Sequence, residues 1–105
     1  MDTVEALKKA KALLKKGWCR EAFARDKDGN PCVFHGGHPP DAVSFCIRGA
    51  LMYVEAGETD ANEVLMDILK KQNYCWPTEF NDDPKTTHKM VLDLFTKAIK
   101  KAKAK

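Results

Sequence analysis

Apolar residues recur at three- and four-residue spacing in several stretches of this chain, and each such stretch predicts an amphipathic helix. The first runs over residues 3–16, where Ala6, Leu7, Ala10, Leu13 and Leu14 draw one stripe. Asp2 with Glu5 three residues on supplies a capping pair. The lysines Lys8, Lys9, Lys11, Lys15 and Lys16 lie off the stripe, and Gly17 reads as a left-handed stop. From Trp18 the pattern shortens. Ala22-Phe23-Ala24 and Cys32-Val33-Phe34 flank Arg25 to Pro31, with Asp28-Gly29 between them, which predicts a small two-stranded hairpin. Residues 35–40, rich in Gly and Pro, read as a loop.

A second helix is expected from an Asp41 cap, with Val43, Cys46, Ile47, Ala50, Leu51 and Val54 as its stripe and Gly57 as its stop. Phe45 and Tyr53 widen its apolar face. Ala42, Cys46, Gly49 and Ala50 make one side small, so another backbone or an aromatic ring can approach there. Asp60 and Glu63 cap a third helix that carries Val64, Leu65, Ile68 and Leu69 to about Gln72. Residues 74–83, with Tyr74, Trp76 and Phe80, are too apolar for a free linker and are expected to cross the core, Trp76 and Phe80 under apolar cover. A fourth helix follows from Pro84 or Thr87, with Val91, Leu94, Phe95, Ala98, Ile99 and Ala102 inward. The expected fold is mainly α: a compact four-helix single domain, 1–105, with a small β-hairpin between helices 1 and 2 and a frayed basic tail at 100–105.

Charge divides the chain more sharply than its net value of +3 suggests. Residues 1–17 set five Lys against Asp2 and Glu5 for +3, and residues 18–40 balance. Residues 41–83 set Arg48, Lys70 and Lys71 against nine acids for −6, and residues 84–105 set seven Lys against Asp93 for +6. Basic ends around an acidic middle imply an internally complementary surface. The longest apolar run, Ala50 to Val54, is far below the ~20 residues that cross a bilayer. The start lacks a secretory pattern. A cytoplasmic protein with no membrane partner and with reduced Cys19, Cys32, Cys46 and Cys75 is the expectation.

Candidate chemistry is sparse. Asp26-Lys27-Asp28-Gly29-Asn30 resembles the start of a calcium loop, but the required Gly and Glu positions fall on Pro31 and Gly37. Cys32, His35, His38 and Cys46 have the chemistry of zinc ligands without the spacing of a zinc finger, and Cys46 belongs to a core-facing helix. No base stands beside a cysteine in sequence, although His88 or a loop His could serve Cys46, Cys75 or Cys32 in space. No catalytic, cofactor or metal residue is assigned. The basic ends could bind phosphates, but aromatic residues are not interleaved with them to stack on bases.

Trp18 to Pro31, then Asp41 to Leu51, then Phe80-Asn81-Asp82-Asp83-Pro84 with Thr87 and Val91-Leu92, together resemble a small family of uncharacterised bacterial and phage proteins. The shared pattern is Trp, Ala-Arg-Asp and Asp-Gly; then Ala-Val-x-Phe-Cys-x-x-Gly-Ala-Leu; then aromatic-Asn-Asp-x-Pro before a final amphipathic helix. Phe80 stands where the family pattern has Trp, and Cys32, His35 and His38 lie outside it. The resemblance implies no established activity. Asn81 and Asp82 are expected near the hairpin and the start of helix 2, with Arg25 or Arg20 as a partner for Asp82. Two accounts of them stay open: caps that hold a loop, or a recognition surface made of Arg25, Asn81 and Asp82. The expected function is that of a small non-enzymatic interaction or regulatory protein whose partner is another protein, and the resemblance implies a phage or mobile-element origin. The alternatives are a weak nucleic-acid binder acting through basic helices 1 and 4, and a cryptic enzyme or zinc protein.

Overall fold

Helix α1, Thr3–Lys16, forms as its stripe requires: the Asp2 carboxylate accepts from the Glu5 amide at 2.8 Å, and Ala6, Leu7, Ala10 and Leu14 are fully buried. A computed structural model describes residues 1–34 and 37–104. After α1 come β1 (Ala24–Arg25), β2 (Ser44–Phe45), α2 (Ile47–Tyr53), a 3-10 turn (Ala56–Glu58), α3 (Ala61–Lys70), α4 (Pro77–Asp82) and α5 (His88–Lys103). The described residues thus hold five α-helices and one two-stranded antiparallel sheet. Helix α1 is the centre of the packing, in contact with α5, α2, β2 and α3. His88 bonds the Leu14 carbonyl while Lys11 reaches Thr96, so α1 and α5 run antiparallel. A radius of gyration of 12.8 Å matches the roughly 13 Å expected for a compact chain of this length.

The sheet departs from the expected hairpin. Ala24 pairs with Phe45 and Arg25 with Ser44, so the partner of β1 comes from the segment read as the start of helix 2. The turn itself is present: Asp26 Oδ1 accepts from the amides of Asp28 and Asn30, Gly29 is left-handed at φ 84°, and Cys32 N–H bonds the Ala24 carbonyl at 2.8 Å. The returning arm stops at a single Arg25–Pro31 bridge, because Pro31 has no N–H to extend a ladder. Ser44–Phe45 instead lies between two neighbours. Phe45 donates to the Gly17 carbonyl and accepts from Cys19, both at 3.0 Å, while Cys46 donates to Phe23 at 3.1 Å on the other side.

That arrangement shortens α2, which begins at Ile47 behind a Cys46 cap whose Sγ accepts from Gly49 at 3.2 Å. Asp41 caps nothing here, and Val43, expected in the stripe, is 51% exposed. Gly17 is not a left-handed stop; at φ −172° it is extended, and a Cβ there would overlap the Val43 carbonyl oxygen and come within 3.1 Å of Ser44 Cα. Gly49 is needed for the same reason. A Cβ on it would overlap the Phe23 carbonyl oxygen and stand 2.6 Å from its carbon. The two glycines let three backbones pass at van der Waals contact.

Other boundaries shift by local chemistry. The left-handed residue after α2 is Glu55 at φ 58°, and Gly57 lies inside the 3-10 turn. At α3 the Asp60 carboxylate makes no cap; Thr59 Oγ1 accepts from Ala61, and Asp60 N–H donates to Thr3. Asn73, left-handed at φ 66°, turns the chain out of α3. The 74–83 segment contains the unforeseen α4, with Pro77 in its first turn and Glu79 reaching back to the Cys75 amide at 2.7 Å. Its Phe80 is buried, but Trp76 is 67% exposed rather than covered. Thr87 caps α5 through the Met90 amide, and the helix continues to Lys103, into the stretch read as a basic tail. No helix among the described residues is long and apolar enough to cross a membrane.

Candidate functional site

Helix α4 carries Asn81 inward to the place where three segments meet. Asn81 is fully buried, and its amide is completely engaged. Oδ1 accepts from Trp18 Nε1 at 2.8 Å and from the Ile47 amide at 3.0 Å, while Nδ2 donates to the Cys19 carbonyl and to Asp82 Oδ1, each at 3.0 Å. One side chain therefore joins α4 to the segment after α1 and to the first turn of α2. The Ile47 amide is one of the four N–H groups that a helix start leaves unpaired. A side chain distant in sequence thus finishes the cap that Cys46 begins.

Asp82 sits beside it, half-buried, and its Oδ1 also accepts from the Glu21 amide at 2.9 Å. Glu21 has φ 63°, a left-handed conformation that costs a non-glycine residue roughly 1–2 kcal/mol. Both protein bonds of Asp82 fall on Oδ1, leaving Oδ2 without a protein partner among the described residues. Arg25 does not reach Asp82. Its guanidinium donates to the carbonyls of Gly29 and Arg20, both at 2.9 Å, and so braces the turn behind β1. Asn81 and Asp82 are thus brought to the 18–25 segment and the start of α2, whereas Arg25 serves the same segment from another side.

A polar cluster that sequence reasoning missed lies next to this bracket. Arg20 stacks over Trp18 at 4.5 Å and donates to the Thr86 carbonyl, while its Nε and Thr86 Oγ1 are buried without partners among the described residues. His88 stacks on Trp18 with ring centroids 5.9 Å apart, so it packs in the structure rather than standing free. Tyr74 donates to Asp83 Oδ2 at 2.7 Å. The Lys85 amide and then this hydroxyl hold the Asp83 carboxyl below its usual range, and the same hydrogen bond pushes the Tyr74 hydroxyl up. The signal was the Trp18-x-Arg20 spacing, but only the fold supplies Thr86 and His88.

The surface beside Asp82 is a groove of about 390 Å³. Ala22, Phe23, Pro31, Cys32 and Val33 supply its apolar lining, Glu21, Thr78 and Asp82 its polar groups, and Cys46 also lines it. Phe23 is 43% and Val33 62% exposed, large apolar surfaces left open to solvent. A larger cleft of about 660 Å³ runs along α2 and the start of α3, with Arg48, Glu55 and Glu63 all in its lining; charges of both signs select no single ligand chemistry. Cys46 is no nucleophile in waiting. Burial pushes its thiol up to about 11, so it is neutral at pH 7 and serves as a cap. Of the zinc candidates, His38 stacks on Tyr53 at 4.3 Å and His35 lies outside the described residues. No cluster of three His, Cys, Asp or Glu that could hold a metal occurs among the described residues.

A family model described as a family of unknown function, DUF6197, matches residues 1–101. The chain belongs to this family. The match takes in α1, the sheet, the Asn81 bracket and nearly all of α5, so the site described above lies wholly within the family domain. No curated protein matches the chain, and no solved structure does.

Proposed function

We propose that this DUF6197 protein is a non-enzymatic binding module whose groove takes a short segment of a partner protein, an apolar side chain followed by a basic one. The observation that carries this reading is the placement of Glu21. Its backbone is held left-handed by Asp82 at the edge of an open apolar surface, and backbone strain of this kind concentrates at functional sites. Phe23 and Val33 offer apolar contact, and the carboxylates of Glu21 and Asp82 beside them complement a Lys or Arg. In this reading Asn81 and Arg25 position the surface and Asp82 belongs to it.

The test is an array of synthetic hexapeptides in which Leu or Phe is followed by Arg, Gln or Asp, titrated against the whole protein by fluorescence anisotropy. Apolar–Arg peptides are expected to bind, apolar–Asp peptides to fail, and Val33→Asp, at an exposed position, to abolish binding with the melting temperature unchanged. Equal binding of the Arg and Asp series, or binding that survives Val33→Asp, would overturn the proposal.

A further inference from the structure

We infer that the seam between α1 and α5 is a ridge for the phosphate backbone of duplex nucleic acid, a surface separate from the groove and carried by different residues. Its lysines come from two helices fixed side by side. On α1, Lys8, Lys11 and Lys15 share one edge at helical spacing, and Lys11 Nζ donates to Thr96 Oγ1 of α5 at 2.8 Å. On α5, Lys89, Lys100 and Lys103 stand seven, four and seven residues from Thr96, which places them on the Thr96 face. The α1 and α5 contacts that set the antiparallel order therefore align two rows of cations. Lys8, Lys15, Lys89, Lys100 and Lys103 are all exposed.

The acid on this face is Asp93, the single carboxylate of α5, and Lys89 occupies it at 2.8 Å. Asp93 is held below the usual carboxylate range first by that hydrogen bond, and by the charges of Lys89, Lys97 and Lys11, so cations of both helices converge here. At about 1.5 Å rise per residue the α5 row from Lys89 to Lys103 spans roughly 21 Å. One strand of a duplex places a phosphate about every 3.4 Å along the axis, so the row covers roughly six. Thr96 and Asp93 lie on the ridge with the lysines, and Leu92, four residues before Thr96, is half-buried against the core rather than open for insertion as the large apolar residues of a membrane-surface helix are. Lysine is a point charge without the planar fork that reads a base edge, so the ridge has nothing to select a sequence.

The test titrates the full chain with a labelled random-sequence DNA duplex by anisotropy across a salt series. One variant replaces Lys8, Lys15, Lys100 and Lys103 with Gln; a charge-matched control replaces Lys16, Lys27, Lys70 and Lys71 with Gln. Unfolded variants are recognised by their melting curves, and single Lys100→Gln and Lys27→Gln variants then carry the comparison. Wild type is expected to bind at low salt with affinity falling steeply as salt rises and no preference between duplex sequences. The four ridge changes should lower the slope of log K against log salt by roughly 3–4, the control changes by less than about 1. Equal losses in the two variants, binding that discriminates between sequences, or adsorption to phosphatidylserine vesicles without binding to the duplex would each overturn the inference.

Discussion

Gly49→Ala is a one-methyl change at an ordinarily favourable place, inside a helix, and the structure requires it to be destabilising. Alanine gains about 1 kcal/mol of helix propensity over glycine. Against this, the new Cβ would overlap the Phe23 carbonyl oxygen and stand 2.6 Å from its carbon, whereas carbon atoms rest at about 3.5–4.0 Å. Phe23 must retreat by roughly 1 Å, and it is not free to do so. Its carbonyl accepts from the Cys46 amide at 3.1 Å, the bond that seats β1 against the cap of α2. Overpacking costs about 2 kcal/mol and weakening that bond about 1 kcal/mol, so the net loss is about 2 kcal/mol. For a domain of this size that lowers Tm by roughly 10 °C. Gly57→Ala is the paired control, because a Cβ there meets nothing within 4 Å and its φ is not left-handed; it should be neutral or stabilising by up to about 1 kcal/mol. Thermal and urea melts followed by circular dichroism measure both. A Gly49→Ala protein as stable as wild type would refute the close backbone approach on which the sheet description rests.

Two further outcomes follow from the bracket and the cap. Asn81→Asp replaces a buried donor with an oxygen facing Asp82 Oδ1 and the Cys19 carbonyl, so the new carboxyl can stay buried only when protonated. Stability should fall by about 3 kcal/mol at pH 7 and recover as pH drops toward 5, read from urea midpoints; a midpoint equal to wild type would contradict the bracket. The Cys46 thiol, pushed up to about 11, ionises more readily in the unfolded chain than in the fold. Its contribution is therefore fully present below the ordinary thiol range and lost as pH climbs toward 11. Cys46→Ser keeps a capping oxygen and should flatten that alkaline loss; an unchanged profile would mean Cys46 does not titrate in a buried cap.

The helices were legible because burial imposes a 3.6-residue period on the sequence itself: the stripes of α1, α3 and α5 appear as buried faces, and α1 and α3 end within about two residues of the expected bounds, whereas α5 runs on to Lys103 through residues expected to fray. Caps made by neighbours were legible too, as at Asp2 and Thr87. The sheet was not. Ala24 and Phe45 are separated by a loop, and Val43 to Ala50 reads as a helical stripe whichever state its first residues adopt. What decides the matter is Pro31, which cannot extend the near hairpin, together with Gly17, which admits Val43-Ser44 beside it, and Gly49, which admits the Phe23 backbone against the start of α2. Helix α4 was missed for a related reason. Six residues hold too few turns to show a period, and Trp76 and Phe80 looked like partners in burial when the first lies at the exposed cap and the second on the inner face.

The same logic separates the residues of the expected recognition surface. A side chain whose every donor and acceptor is engaged within the protein has none left for a partner, and Asn81 is in that position: four bonds, no exposure. Arg25 spends two of its donors on carbonyls of its own segment. Asp82 differs, since both of its protein bonds fall on one oxygen and its residue lines the groove. Polar motifs that stand out in a sequence combine these two kinds of residue without marking which is which. The adjacent pair Asn81-Asp82 holds one of each, and α4 turns the first into the core and leaves the second at the surface. Replacing Asn81 therefore tests the fold, whereas Glu21→Gln, which leaves the Glu21 amide on Asp82 in place, tests the surface alone.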